Sequence, residues 1–208
     1  MDAEEIRDAA LFVSGLLDLK MGGKGVRPYQ PPGIWEAVGY TTSNTAKYTQ
    51  DHGDALYRRS LYLFWKRTAP PPSMTTMDAP SREKCVTRRE RTNTPLQALL
   101  TLNDIQYFEA ARHLGHRMLI EGGAEDPDRL KLGFQLVTAR TPTDQELKIL
   151  ADTLETERQR YRADENAAKQ AIAVGESPAP DDVPAPELAA YTMVANLLLN
   201  LDEVLTKN

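Results

Sequence analysis

The sequence predicts an all-α protein: an irregular helical bundle carrying two long structured loops. Three observations lead there. Apolar residues recur at three- and four-residue spacing in the segments read as helices. Helix-start signals are legible, chiefly Thr94-Pro95 and the capping box Thr143-Asp144-Gln145-Glu146. No stretch alternates apolar and polar residues as a half-buried strand does.

The elements follow in order. Asp2 caps a first helix, with Glu5 three residues on and Ile6, Ala9/Ala10, Val13 and Leu16/Leu17 on one face; Gly22, Gly23 and Gly25 are expected to end it. Val26 to Gly53 is turn-rich, with only Ile34–Val38 able to form a short helix. A loop this long is functional or packed by its own side chains, and Tyr29, Trp35 and Tyr40 are expected to be its buried anchors. A second helix is expected over about Ala55–Arg67, stopped by Pro70-Pro71-Pro72. Ser73–Thr94 forms the second irregular stretch, with Asp78-Ala79-Pro80 opening one turn of helix that ends near Cys85. Thr94-Pro95 opens the clearest helix, which Asn103-Asp104 divides because Asp can cap a second one. Helices follow at Pro127–Ala139, from Thr143 to at least Tyr161 with a restart at Asp164, and at Pro186–Asn200. Residues 175–186 form a Pro-, Ala- and Asp-rich internal linker within a single domain spanning residues 1–208.

Composition bounds the function. The chain has 208 residues, a net charge of −5 and one cysteine. A lone cysteine excludes an internal disulfide, a cysteine-rich zinc site and a c-type haem attachment within the chain, so no cofactor is expected here. No apolar run reaches the roughly 18 residues of a membrane span. The start, Met1-Asp2-Ala3-Glu4-Glu5, lacks the basic and apolar regions of a signal peptide and by itself reads as cytoplasmic.

Charge is uneven, and that asymmetry carries the candidate site. Tyr57 to Arg91 holds nine basic residues against Asp78, Glu83 and Glu90. Such a cluster is either neutralised internally, which arginine does well through its planar fork, or forms a groove for an anionic polysaccharide or an acidic protein face. Negative net charge and the lack of a nucleic-acid-binding motif argue against nucleic acid. Arg58 and Arg59, adjacent on the expected helix, cannot face one partner, so one should pair internally and the other reach solvent. Arg88, Arg89 and Arg91 precede a helix start that is already electropositive, so carboxylates or a bound anion must offset them. Asp78, Glu83, Glu90, Asp104 and Asp202-Glu203 are the carboxylates considered. The candidate binding residues are Asp78, Arg82, Cys85, Arg88, Arg89, Arg91 and Asn93. Cys85 lies among cations that would lower a thiol pKa, yet no histidine near it forms a recognisable base, and a buried structural role is expected. His113 and His116, with Glu109 a turn earlier, have metal-ligand spacing but sit among Arg112 and Arg117 and read as a solvated helix face.

Several segments taken together resemble a known family. They are Tyr57-Arg58-Arg59-Ser60-Leu61-Tyr62, Phe64-Trp65-Lys66-Arg67-Thr68, Pro70-Pro71-Pro72-Ser73-Met74, Asp78-Ala79-Pro80 and Arg91-Thr92-Asn93-Thr94-Pro95-Leu96-Gln97-Ala98-Leu99. Tyr29-Gln30-Pro31-Pro32-Gly33, Gly175-Glu176-Ser177-Pro178 and Leu199-Asn200-Leu201-Asp202-Glu203 extend the likeness toward both ends. Together they resemble the planctomycete-type domain of unknown function 1553, found at the C-terminus of large exported proteins that often carry a cytochrome-c-like module. The resemblance implies that this chain is a C-terminal piece, that Met1 is an internal start, the start of a truncated gene or a fragment boundary, and that residence is periplasmic or in the cell envelope. It also implies missing upstream domains as partners, with haem, if any, held there. The family supplies no reaction, so no catalytic residue carries over.

Two functions follow as expectations. The first is a non-catalytic helical module that binds an anionic polymer or partner within an exported multidomain protein. The second is a hydrolytic or redox-linked enzyme with its site where the Arg-rich loop meets the Thr94-Pro95 helix start, a position suited to anionic groups.

Overall fold

The structure, a computed structural model, describes residues 1–39, 42–43 and 45–206. Among these residues there are nine α-helices, two short 3-10 turns and no β-strand, so the chain is all-α as expected. No helix among them is long and apolar enough to cross a membrane. The chain forms two compact units, one of Met1–Asp8 with Leu17–Leu100 and one of Ala9–Leu16 with Thr101–Asn208.

The first unit takes the start of α1 (Ala3–Ser14). The Glu5 carboxylate accepts the Asp2 N–H at 2.8 Å, satisfying a donor at the helix start. The helix ends earlier than the glycines at 22–25 predict. Gly15 adopts φ 81, a left-handed conformation that terminates helices and that glycine enters at little cost.

Ala55–Arg67 is not a helix. It forms 3-10 turns at Gly53–Tyr57 and Ser60–Tyr62 joined by extended backbone. The reason lies in who claims its carbonyls. Arg7 donates to the Leu56 and Arg58 carbonyls at 2.7 and 2.8 Å, and the Asp18 and Val26 N–H groups take those of Tyr57 and Tyr62. Carbonyls held by these long-range donors are not free to build a helical ladder. Arg58 is buried and donates to the carbonyls of Lys20, Gly22 and Lys24, while Arg59 is partly exposed beside Asp8. One arginine therefore turns inward and the other outward, although the helix invoked to separate them does not form.

The described residues of the 26–53 segment include a buried aromatic anchor, Trp35, which is 2 % exposed. Tyr48 meets its ring edge-on with centroids 4.9 Å apart, and Phe64 lies at 5.6 Å. Tyr29 is half-buried, Ile34–Val38 forms turns rather than a helix, and Tyr40 lies outside the described residues. Pro72 then begins a short helix, α2 (Pro72–Thr76), where only a stop was expected. No helix follows Asp78-Ala79-Pro80: residues 77–94 are bends and turns as far as α3 (Pro95–Asn103).

In the second unit the caps predict the starts well. Asp104 accepts from the Gln106 N–H and opens α4 (Ile105–Glu121). α5 (Asp126–Thr138) follows, then α6 (Asp144–Ala163) behind the complete Thr143/Glu146 box, and α7 (Glu165–Ile172) capped by Asp164. α8 (Ala185–Leu199) is the central helix, with Leu188, Tyr191, Val194, Ala195 and Leu198 fully buried. Each such Leu or Val contributes on the order of 1.5–3 kcal/mol by leaving water. α4 packs against it through Gly115, where an added Cβ would stand 2.9 Å from the Thr192 nitrogen. A short α9 (Asp202–Leu205), absent from the sequence reading, is tied by Arg140, which reaches Glu203 at 2.7 Å and Glu146 at 2.6 Å.

Candidate functional site

The loop from Ser81 to Asn93 is exposed at every residue. Its frame is fixed nonetheless. At one end Trp65 Nε1 donates to the Ser81 carbonyl at 3.1 Å, and the Arg82 guanidinium lies 4.4 Å over the Trp65 ring. At the other end the Asp78 carboxylate accepts from the Thr92 N–H at 2.6 Å and from the Thr92 hydroxyl at 2.7 Å. Gln97, buried on the first turn of α3, donates its amide to Asp78 Oδ2, the Thr92 hydroxyl and the Thr76 carbonyl. Its side-chain oxygen accepts the Thr94 N–H, so Thr94 and Gln97 form a capping box whose other arm anchors the loop.

Asp78 occupies the left-handed region with φ 61, which Asp tolerates better than most residues. Burial works against its charge, but the hydrogen bonds from Thr92 and Gln97 prevail and hold its carboxyl below the usual range. All three bonds fall on Asp78 Oδ2, which is engaged in fixing the loop.

Between these anchors the arginines meet the first helix. Arg89 reaches Glu4 at 2.7 Å and Asp2 at 3.3 Å, Arg91 reaches Asp2 at 2.9 Å, and Arg82 stands 4.0 Å from Glu4. The hydrogen bond to Glu4 raises the Arg89 pKa against the opposing effect of burial. The compensating carboxylates are therefore Asp2 and Glu4. Sequence reading missed both because it took the acidic start for a helix cap and for the lack of a signal peptide, not for a partner of the loop; the opposite charge of residues 2–5 and 82–91 was the available signal.

The contacts divide the candidate residues into two groups. Asp78 joins Thr92 and Gln97, while Arg82, Arg89 and Arg91 share the two carboxylates. Cys85 is exposed, contrary to the expectation of a buried structural thiol, because it lies midway along a loop that is exposed at every residue from Ser81 to Asn93. Among the described residues, Lys84, Cys85 and Arg88 make no ion pair or hydrogen bond, and Asn93 is exposed.

A protein-family model described as a protein of unknown function (DUF1553), PSD1, matches residues 1–154. The chain belongs to this family. The DUF1553 match includes the whole loop, both carboxylates and the α3 start. Neither a curated protein nor a solved structure matches the chain.

A second polar cluster lies in the second unit and was misread as a solvated face. Glu109 and Arg112 are fully buried and 3.6 Å apart; Glu109 accepts the Ser177 N–H at 2.7 Å, and Arg112 donates to the Ile172 and Ser177 carbonyls. His113 Nε2 is 2.7 Å from the Ser177 hydroxyl, and His116 pairs with Asp182 at 2.9 Å. Among the described residues no group of three His, Cys, Asp or Glu side chains could hold a metal. The Ser177 N–H is committed to Glu109. The cluster fastens residues 172–182 to α4.

Proposed function

We propose that the chain is a non-catalytic interaction module of a longer exported polypeptide, and that the 81–93 loop recognises an acidic partner. The observation that carries this reading is a loop wholly exposed yet anchored at both ends, with Lys84, Val86 and Arg88 presented between the anchors. Loops positioned by a rigid scaffold are where recognition concentrates, and a framed loop loses less freedom on binding than a loose one. Among the described residues Lys84 and Arg88 stand on the loop without an ion pair, and such cations attract an anionic face. The enzyme reading draws less support, because Asp78 Oδ2 is engaged in framing the loop and Cys85 is exposed on it.

The test is binding of a fluorescently labelled oligo-glutamate peptide at low and physiological salt. Binding should weaken as salt rises, and Lys84→Ala with Arg88→Ala should weaken it by about threefold to tenfold without lowering the melting temperature. Salt-insensitive binding, or equal affinity in the double variant, would contradict the reading.

A further inference from the structure

Three arginines of the loop hold side chains that have the chemistry of the proposed ligand. Arg91 places both Nε and Nη2 near Asp2 Oδ1, at 3.1 and 2.9 Å. Arg89 bridges Glu4 and Asp2 through one nitrogen, and Arg82 approaches Glu4 from its stacked position on Trp65. The segment Asp2-Ala3-Glu4 thus offers two carboxylates spaced by one residue, as an acidic protein segment would.

We propose that Asp2 and Glu4 act as an internal pseudo-ligand, occupying Arg82, Arg89 and Arg91 until an acidic segment of a partner protein displaces them. This rests on the loop reading above. Displacement is feasible because each guanidinium is at least a third exposed, and ion pairs in water hold weakly. The loop would keep its position when they leave, since the Trp65–Ser81 and Asp78–Thr92 anchors do not involve either carboxylate. A backbone-borne pair of carboxylates is the group observed on these arginines, which favours an acidic protein segment over a polysaccharide.

The experiment compares the unmodified chain with Asp2→Asn combined with Glu4→Gln, using labelled oligo-glutamate and, separately, polygalacturonate. Tighter peptide binding by about tenfold, with a steeper salt dependence, is the expected result, and adding Arg89→Ala and Arg91→Ala should reverse the gain. Equal peptide affinity in the two chains overturns the pseudo-ligand but leaves the loop reading standing. No peptide binding by either chain at low salt overturns both. A gain for polygalacturonate alone overturns the choice of a protein partner. Circular dichroism checks folding. Should the double variant unfold, Glu4→Gln alone must give a smaller gain in the same direction, and no gain there overturns the proposal.

Discussion

His113 lies against Ser177 on a largely buried part of α4. Burial above all, then the neighbouring Arg112 and His116, pushes its pKa down to about 4. In the unfolded chain the imidazole titrates near 6.5, so between those values the unfolded state binds more protons than the folded one. The stability gained by keeping His113 neutral is complete above about pH 6.5 and is lost as pH falls toward 4, by no more than about 1.4 kcal/mol per pH unit. We expect the urea midpoint to fall between pH 7 and pH 5, and the slope to flatten in His113→Gln. Parallel slopes in the two proteins would contradict the assignment. The same cluster illustrates what single residues conceal in a sequence. Glu109, Arg112 and His113 looked like a solvated face, because the segment that buries them, 172–182, is more than fifty residues away.

At the level of elements, legibility followed the range of the interactions that define each one. The starts of α4, α6 and α7 were readable because Asp104, Thr143 and Asp164 cap them from within three residues. Ala55–Arg67 was misread because Arg7, Asp18 and Val26, distant in sequence, take its carbonyls. The site was half legible for the same reason. Charge alone singled out Arg82, Arg88, Arg89 and Arg91, whereas Asp2, Glu4 and Thr92 entered only through long-range contacts. The α4–α8 pairing gives the element-scale prediction. A methyl group at Gly115 would stand 2.9 Å from backbone atoms of Tyr191 and Thr192, which cannot move aside as a flexible side chain does. Gly115→Ala should therefore cost about 1–3 kcal/mol through overpacking, read as a lower melting temperature. An unchanged melting temperature would mean that the helices are not packed this closely.

For the whole molecule, two compact units divide the labour that the sequence distributes along one chain. The second unit is a helical scaffold around α8, its polar residues tied up in caps, the buried Glu109–Arg112 pair and surface networks such as Arg158 with Asp126 and Glu187. The first unit carries the aromatic cluster around Trp35 and the 81–93 loop, where several cations stand exposed on a fixed frame. Membership of the DUF1553 family names no activity, so the account rests on that loop. Hydrogen exchange on the folded protein, with and without oligo-glutamate at low salt, tests it most directly. The account predicts new protection gathered in residues 81–93 and faster exchange in the turn that carries Asp2 and Glu4. Protection absent from 81–93, or confined to the second unit, would contradict it.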